Sequence, residues 1–496
     1  MDYAKTVLPL SFHRRNERFE GVKHVSQMLL RRHKIHAFSL LVAVKHLVSK
    51  VSTLKVDANA KYLRKTRRSY RLFNRAKSIM PGGQSHNARF FEPYPFFAEK
   101  ARGKYIWDVD GNRYVDYWMG HTSLILGHSP QYVSSEIKTN ADRGLLYGAP
   151  NRYALDLAEK VTQIVPCAEQ VRFCTTGAEA TMYAVRLARA FTKRKVIMKM
   201  VGGWHGYSSV LTVGVSSPYE LPESAGLVSE EESFVKLGEF NNIEATKDII
   251  NKVGGDLAGI IIEPVMGAGG VVPAKRDYLA FLREDCDRLG AVLVFDEIIT
   301  GFRLALGGAQ EFFGIKPDLC TLGKILGGGL PVSAIGGRTE IMALADVQNK
   351  SKSERCWIGG GTFSENALCM KAGLATLKHL SANKGSIYKK IGEHGSNIRK
   401  QVDKVFSDHG IKSQTTGLGS LFATHFLSED QKMIIGPRDV DRSDRSLEKK
   451  YYFDLIANNN IYFIPGHIGA ISTVHQGSDI KAFVEATERF AQSKEN

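Results

Sequence analysis

Short, wholly apolar segments alternate with helical segments through the middle of the chain, from about residue 121 to residue 355. A strand without polar positions is buried on both faces, as in parallel sheets that helices cover on two sides. The alternation therefore predicts βαβ units and a mostly parallel central sheet, the arrangement of an α/β fold. The candidate strands cover residues 171–174, 196–200, 258–263, 291–296 and 332–335.

The segment before this region predicts part of a second, smaller α+β domain. Residues 66–80 repeat apolar positions at helical spacing, and the pattern stops at Pro81. Residues 105–117 alternate around Asp110-Gly111, which indicates a β-hairpin.

The C-terminal part of the chain changes character after about residue 356. Long amphipathic helices, such as residues 386–406, are mixed there with candidate strands at 421–426 and 461–464. We interpret this part as the other half of the smaller domain. The predicted organisation is a basic N-terminal extension over 1–65, an N-terminal small-domain segment over 66–120, a large ligand-binding domain over 121–355 and a C-terminal small domain over 356–496.

The positive charge of the chain is concentrated at one end. The formal net charge is +16, but residues 1–80 hold 19 Lys and Arg against 4 Asp and Glu. The remaining residues hold 48 against 47, so the body is nearly neutral. A basic arm can bind nucleic acid or an anionic surface, or direct a protein to an organelle. Asp2, Glu17 and Glu20 argue against targeting, and we interpret residues 1–65 as a poorly ordered extension.

The size and cysteine content of the chain limit the class of protein. With 496 residues and 43% hydrophobic residues, the chain can bury a large core and form two or more structural domains. Its six cysteines form no Cys-x-x-Cys pair, which fits a reducing compartment and argues against a structural zinc site. No apolar run reaches the roughly 18–20 residues that span a bilayer, so we expect a soluble, cytoplasmic protein.

Asp296 and Lys324 are the strongest chemical signal in the sequence. Asp296 ends a buried strand, and ligands bind at the carboxyl ends of such strands in open α/β sheets. A carboxylate there can hold a cationic pyridinium nitrogen, and Lys324, beside Gly327-Gly328-Gly329, can form a Schiff base with a carbonyl cofactor. Pyridoxal phosphate requires this pair together with a phosphate cradle. Either residue alone is more often a turn cap or a solvated lysine.

Three further motifs offer contacts for such a cofactor. Thr176-Gly177-Ala178 follows a strand and opens a helix, whose free N–H groups and dipole can bind phosphate. Trp204 could stack on a flat ring, although a core tryptophan beside a structural histidine, His205, explains the same residues. Thr362 offers a hydroxyl for a phosphate in a Gly-rich segment that could equally be a plain turn.

Together these motifs resemble the class-III aminotransferases, pyridoxal phosphate enzymes of fold type I, and within them the glutamate-1-semialdehyde 2,1-aminomutase group. The resemblance extends from about Tyr70 to Gln492, and the first 55 or so residues have no counterpart. The segments that carry it are residues 79–89, 107–117, 124–128, 296–303, 321–324 and 361–366.

The resemblance implies a role for each candidate site residue. Lys324 would bind the cofactor covalently and shuttle protons, while Asp296 would pair with the pyridinium nitrogen. Arg89 would clamp the substrate carboxylate, because a guanidinium fork fits a carboxylate bidentately, and His86 lies in the same substrate loop. The implied cofactor-binding residues are Thr176, Gly177, Ala178, Trp204, His205, Asn241, Asp296, Ile298, Lys324 and Thr362, the last from a neighbouring chain, and no metal is implied.

Four positions depart from the family pattern. Ala178 replaces a Thr or Ser, so one side-chain hydroxyl for the phosphate is lost. His86 replaces a serine of the substrate loop, and Glu365 replaces a glycine. The stretch around His467 is shorter than in the aminomutases, which carry a glutamate there.

The leading hypothesis from the sequence is a homodimeric pyridoxal phosphate enzyme that moves an amino group. In its aminomutase form it converts glutamate-1-semialdehyde to 5-aminolevulinate, a tetrapyrrole (porphyrin) precursor. An intermolecular transaminase that uses an amino donor and a keto acid or aldehyde is the closest alternative. A basic-arm protein that binds nucleic acid or a membrane surface is a remote one. The irregular segment 207–228 is predicted to close over the site as a lid.

Overall fold

The strands of the computed structural model form one seven-stranded sheet and three smaller ones. The structure describes residues 58–348 and 350–495. In chain order the strands are β1 (Ala98–Arg102), β2 (Tyr105–Asp108), β3 (Arg113–Asp116), β4 (Gln170–Cys174), β5 (Val196–Met200), β6 (Val235–Gly238), β7 (Leu257–Ile262), β8 (Val265–Met266), β9 (Val272–Pro273), β10 (Val292–Glu297), β11 (Leu319–Leu322), β12 (Ser333–Gly337), β13 (Ser413–Thr416), β14 (Leu421–Phe426), β15 (Ile461–Tyr462) and β16 (Gly469–Ala470).

Helices connect most of these strands. In chain order they are Ala58–Lys65, Arg67–Lys77, Gln131–Asn140, Arg152–Ile164, Gly177–Thr192, Ile243–Val253, Arg276–Leu289, Gly308–Phe313, Ala367–Ala382, Lys384–Asp408, Arg445–Asn459 and Gly477–Glu495, with short helical turns at Met119–Thr122, Ser229–Glu232, Thr339–Met342 and Pro437–Asp441. Of the helices in the described residues, none is long and apolar enough to cross a membrane.

The central sheet has the strand order β4-β12-β11-β10-β7-β5-β6. Only β12 is antiparallel to its neighbours, so the predicted mostly parallel sheet is confirmed. The sequence missed β6 and β11. The first is an edge strand with an exposed Lys236, and the second has only four residues, so neither presents a long apolar run.

Strand β10 shows why the central strands are apolar along their whole length. Val292 and Val294 pack on one face of the sheet in a cluster that includes residues of the helix Gly177–Thr192. Leu293 and Phe295, between and after them, pack on the other face with residues of the helix Arg276–Leu289. Because successive side chains of a strand point to opposite faces, both faces must be apolar when helices cover both.

The smaller sheets join the two ends of the described chain. Strands β1, β2 and β3 form an antiparallel meander, as the Asp110-Gly111 signal predicted, and β15 pairs in parallel with β3. The N-terminal and C-terminal segments therefore share one sheet, as the small α+β domain required. The exact domain limits at residues 120 and 355 stay predictions.

The first described residues correct one expectation. Residues 58–65 were assigned to the poorly ordered extension, but they form the helix Ala58–Lys65. Tyr62 is fully buried there and donates a hydrogen bond to the Tyr94 carbonyl, and Lys65 donates to the Ile456 carbonyl. The sequence did not indicate this helix, because basic residues surround Tyr62, its buried anchor. The rest of the predicted extension, residues 1–57, lies outside the described residues.

Candidate active site

A cavity of about 220 Å³ lies where the central strands end. Except for His86, its walls come from the ends of β4, β5, β7, β10 and β11 and the segments that follow them, at the carboxyl edge of the sheet, where α/β folds bind ligands. The structure thus brings together most of the predicted site residues. Those that line the cavity are His86, Thr176, Gly177, Ala178, Trp204, His205, Asp296, Ile298 and Lys324.

Asp296 is buried and held by three hydrogen-bonding groups. Its Oδ1 accepts from the Thr321 hydroxyl at 2.9 Å and from the Ile298 backbone N–H at 3.1 Å. Its Oδ2 lies 2.7 Å from His205 Nδ1. Thr321 is the residue opposite Asp296 in the β10–β11 register, so the sheet itself places this hydroxyl. The carboxylate is therefore fixed in one orientation at the cavity wall.

His205 holds the Asp296 carboxylate by the contact of its Nδ1. Its side chain is fully buried, and burial lowers its pKa from the ordinary value, while the bond to Asp296 opposes that shift. Its Nε2 has no hydrogen-bond partner among the described residues. Its backbone carbonyl accepts from the Thr181 hydroxyl at 2.5 Å. The predicted cofactor-binding histidine thus lies against the carboxylate and also borders the cavity.

Lys324 follows β11 and reaches the same cavity. Burial lowers the pKa of its amine, an effect that Asp296 and Glu263 oppose. A lysine with a lowered pKa has more of the neutral amine that attacks a carbonyl. Close packing restricts the glycines that follow it, because a side chain at Gly328 would overlap Thr376 Oγ1. The Gly-rich run that marked Lys324 in the sequence thus has a steric reason.

The predicted phosphate cradle is the first turn of the helix Gly177–Thr192. Thr176 caps this helix, since its hydroxyl accepts from the Glu179 N–H at 3.3 Å. The Glu179 carboxylate accepts in return from the Thr176 N–H at 2.8 Å. The N–H groups of Gly177 and Ala178 come next, at the positive end of the helix dipole. The turn can hold an anion with backbone groups alone, although Ala178 provides no hydroxyl.

Trp204 and Ile298 provide the apolar walls of the cavity. The Trp204 ring packs edge-on against Tyr207 at 5.0 Å, and its backbone N–H donates to Glu263. Ile298 lies close to the cradle, because a side chain on Gly177 would meet it at 3.1 Å. A flat ring between such surfaces gains apolar contact.

Glu263 is a site residue that the sequence reasoning missed. Its Oε1 accepts from the Trp204 N–H at 2.9 Å and its Oε2 from the Gly267 N–H at 3.0 Å. Burial, followed by the negative charge of Asp296, raises the pKa of Glu263 to about 8. The signal was present in the sequence, since Glu263 ends an apolar strand just as Asp296 does.

At the mouth of the cavity, Arg89 and two histidines lie together. Arg89 Nε is 3.5 Å from His121 Nε2, and the rings of His86 and His121 are 4.5 Å apart. Arg89 is exposed, as a residue that meets an incoming substrate should be. His121 had no motif of its own in the sequence.

Besides Arg89, two predicted site residues, Asn241 and Thr362, lie outside the cavity walls. The Asn241 amide donates to the Pro273 and Ile435 carbonyls, and its oxygen accepts from the Lys275 N–H at 2.7 Å. The hydrogen-bonding groups of the Asn241 side chain are thus already paired with loop backbone. Thr362 is exposed, as expected of a residue that serves a neighbouring chain. Both assignments stay predictions.

The arrangement suits a flat ligand with an anionic group, a ring nitrogen and a carbonyl carbon. The helix start can accept the anion, Asp296 can accept a proton-bearing nitrogen, and Lys324 can supply the amine. Most of the predicted site residues thus meet in one cavity, although they come from separate strands.

The chain is similar to known aminotransferases and aminomutases over most of its length. The family model described as aminotransferase class-III matches residues 87–478. The chain is 38% identical over 432 residues to glutamate-1-semialdehyde 2,1-aminomutase of Methanothermobacter thermautotrophicus, covering 86% of this chain and 100% of that protein. It is 39% identical over 401 residues to the enzyme of the same name from Methanocaldococcus jannaschii, covering 80% and 91%.

Solved structures show the same fold. An omega-transaminase from Sphaerobacter thermophilus superposes with a TM-score of 0.79 at 30% identity and covers 86% of this chain and 98% of its own. A beta-phenylalanine aminotransferase from Variovorax paradoxus gives 0.79 at 30%, covering 88% and 96%. A glutamate-1-semialdehyde-aminomutase from Pseudomonas aeruginosa gives 0.79 at 20%, covering 90% and 99%, a likeness of fold alone. The predicted fold type I is confirmed.

Proposed function

The chain belongs to the class-III aminotransferase family, and on this basis we propose that it is a pyridoxal phosphate enzyme that acts as a glutamate-1-semialdehyde 2,1-aminomutase. When bound, pyridoxal phosphate provides an electron sink for a carbon that loses a proton. The product of the proposed reaction is 5-aminolevulinate.

The observation that carries the cofactor assignment is the meeting of Asp296 and Lys324 at one cavity beside a helix start. Asp296 would keep the ring nitrogen protonated, since Thr321 and His205 hold it in one orientation. Lys324 would hold the cofactor and move protons at its Nζ. The N–H groups of Gly177 and Ala178 would hold the phosphate.

The aminomutase reaction is supported by the sequence relatives. Those named glutamate-1-semialdehyde 2,1-aminomutase match this chain over nearly their whole length. Arg89 stands at the cavity mouth, where a guanidinium can bind the carboxylate of such a substrate. The cavity walls Trp204 and Ile298 would exclude water around the reacting atoms.

The test is to incubate the holoenzyme with glutamate-1-semialdehyde alone, without an amino donor or acceptor. An aminomutase forms 5-aminolevulinate under these conditions, because the amino group stays within one substrate skeleton. A protein that requires a separate donor and acceptor for any turnover contradicts the proposal.

An intermolecular transaminase is the second candidate, and two observations favour it. The solved structures at 30% identity bear the names omega-transaminase and beta-phenylalanine aminotransferase. His86, His121 and His467 also give the mouth of this site a composition that the resemblance to the aminomutases does not account for. Pairing the holoenzyme with amino donors and pyruvate, and following keto product, distinguishes this activity.

The enzyme is further proposed to work as a homodimer in the cytoplasm. Exposed apolar side chains flank Thr362 in the sequence. Those of Trp357 and Phe363 are each more than half exposed. The exposed residues Leu145, Leu146 and Tyr147 adjoin them, since Asn366 Nδ2 donates to the Leu145 carbonyl at 2.7 Å. An apolar patch of this kind marks a contact surface. A second copy bound here would bury it.

A further inference from the structure

The backbone of Met119–Thr122, beside the mouth of the cavity, makes one turn of left-handed helix. Four consecutive residues have positive φ: Met119 (47°), Gly120 (58°), His121 (57°) and Thr122 (66°). Glycine takes this conformation freely, but Met, His and Thr do so at a cost. Backbone strain of this kind persists where the surroundings fix it, and it concentrates at functional sites.

Asp116 and Arg303 fix the two ends of this turn. Asp116 Oδ1 accepts from the N–H groups of Trp118 at 2.8 Å and Met119 at 2.9 Å. Arg303 donates from one terminal nitrogen to the Thr122 carbonyl and from the other to the Ser420 hydroxyl at 3.1 Å.

Arg303 is an unusual residue for this task. It is 1% exposed and meets no carboxylate among the described residues. Burial lowers its pKa to about 10, so it remains a cation at neutral pH. A buried cation without a counterion is costly. The Arg303 guanidinium instead donates to two backbone carbonyls, those of Ile471 and Thr122, and the latter belongs to the left-handed turn.

The turn presents His121 at the cavity mouth. Its ring lies 4.4 Å from the Trp118 ring and 4.5 Å from the His86 ring. Its Nε2 lies 3.5 Å from Arg89 Nε, and because Arg Nε can only donate, His121 Nε2 is the acceptor. The contact therefore assigns the ring proton to Nδ1. Burial, with the positive charges nearby, lowers the pKa of His121 to about 3, so the ring stays a neutral acceptor.

The described residues make no hydrogen bond to the two terminal nitrogens of Arg89, which leaves its fork free. The rings near it are uncharged at neutral pH, since burial also lowers the pKa of His467 to about 4. Arg89 is thus a cation beside the uncharged rings of His86, His121 and Trp118 at the mouth of the cavity.

We propose that His121 is a positioning residue that holds Arg89 by its Nε, so that the free fork meets a single carboxylate of the substrate. The left-handed turn, whose end Arg303 holds, places this imidazole. The inference rests on the proposed carboxylate-binding role of Arg89, but it does not require the aminomutase reaction.

The test measures binding to the holoenzyme, not turnover. Pentanoate serves as the carboxylate probe and pentan-1-ol as its uncharged control, with dissociation constants from isothermal titration. His121→Phe keeps a ring but removes the acceptor, and we expect pentanoate to bind about tenfold more weakly, the order of one hydrogen bond. His121→Gln restores an acceptor oxygen, so its affinity should lie within about threefold of the wild type. Pentan-1-ol should bind all three proteins alike.

A double-mutant cycle shows whether His121 acts through Arg89. In an Arg89→Ala background, His121→Phe should cause no further loss of pentanoate affinity, because nothing is left to position. The inference is overturned if His121→Phe binds pentanoate like the wild type, weakens pentan-1-ol equally, or costs the same factor without Arg89. If His121→Phe does not fold, His121→Leu takes its place with the same expectations. Failure of the aminomutase reaction appears instead in the conversion assay with the wild type.

Discussion

Two lysines, Lys199 and Lys324, lie close to the candidate site, and their contacts decide which one can react. Lys199 Nζ donates to the carbonyls of Gly203, Leu211 and Val213, at 2.6–3.0 Å. Burial lowers the pKa of Lys199 to about 7, but its nitrogen is enclosed by backbone. Lys324 lines the cavity. Position, and not a lowered pKa alone, therefore favours Lys324 as the proposed nucleophile.

Lys324→Ala should abolish turnover, since no other amine reaches the cavity among the described residues. Borohydride reduction of the yellow holoenzyme should attach the cofactor to Lys324, which peptide mass mapping detects. Lys199 is the internal control, and a label on Lys199 would contradict the assignment.

Asp296→Asn should keep the fold and lower kcat by about a thousandfold. An amide fits the same hydrogen bonds to Thr321 and Ile298, so the strand end is preserved. A neutral amide cannot keep the cofactor nitrogen protonated, and the loss of one preorganised charge contact costs about this much. Steady-state rates and thermal unfolding measure the two effects.

The matched control is Asp256→Asn, which changes an exposed aspartate outside the cavity. It should leave both quantities unchanged. A near-normal rate in Asp296→Asn would remove the proposed role of this carboxylate.

Among the helices and strands, the sequence predicted the local structure most accurately where a single physical requirement determines it. Strand β10 needs two apolar faces and shows them, and the helix expected to open at residues 176–178 begins there, where Thr176 and Glu179 cap it. The left-handed turn at Met119–Thr122 could not be predicted, because Arg303 holds its end from a distant part of the chain. Local preference opposes that conformation.

The segment 207–228 is less free than its irregular sequence suggested. Tyr219 is 4% exposed, and Arg438 lies over its ring at 5.2 Å while donating to Glu220 at 3.2 Å. Ser216 also bonds to Glu223 across the segment. The middle is thus anchored to the short helix Pro437–Asp441, and a lid motion would have to involve the residues around Tyr207.

The lid hypothesis predicts that a bound substrate analogue protects this segment from protease. Arg438→Gln should raise the cleavage rate several-fold without ligand, because the contacts to Glu220 and Tyr219 are lost. Arg89→Ala should weaken the protection by the analogue. Limited proteolysis with mass spectrometry reports the cut sites.

Arg442→Gln is the control, since Arg442 pairs with Asp430 beside the same short helix. It should leave cleavage within 207–228 unchanged. Equal cleavage with and without saturating analogue would leave the segment a surface loop.

For the whole molecule, the composition suggested a near-neutral enzyme body with a basic arm. The body is confirmed as a class-III aminotransferase fold, but its start lies earlier than predicted, because Tyr62 packs against Phe91, Tyr94 and Phe453. Such anchoring depends on aromatic residues outside the helix, one of which, Phe453, lies hundreds of positions away, and it leaves no local pattern. Glu263 could have been found from its strand end, whereas His121 could not.

The final prediction concerns the proposed dimer and the surface around Thr362. Phe363→Asp places a charge on a residue that is 61% exposed and that a partner would cover. We expect the variant to be monomeric and to bind pyridoxal phosphate at least tenfold more weakly, because charge burial opposes association and the neighbour's Thr362 is withdrawn. Thr362→Ala should weaken cofactor binding while the dimer persists. Phe312→Asp, at another exposed phenylalanine, should change neither property. Sedimentation equilibrium and cofactor titration separate these cases, and a fully active wild-type monomer would rule out a shared site.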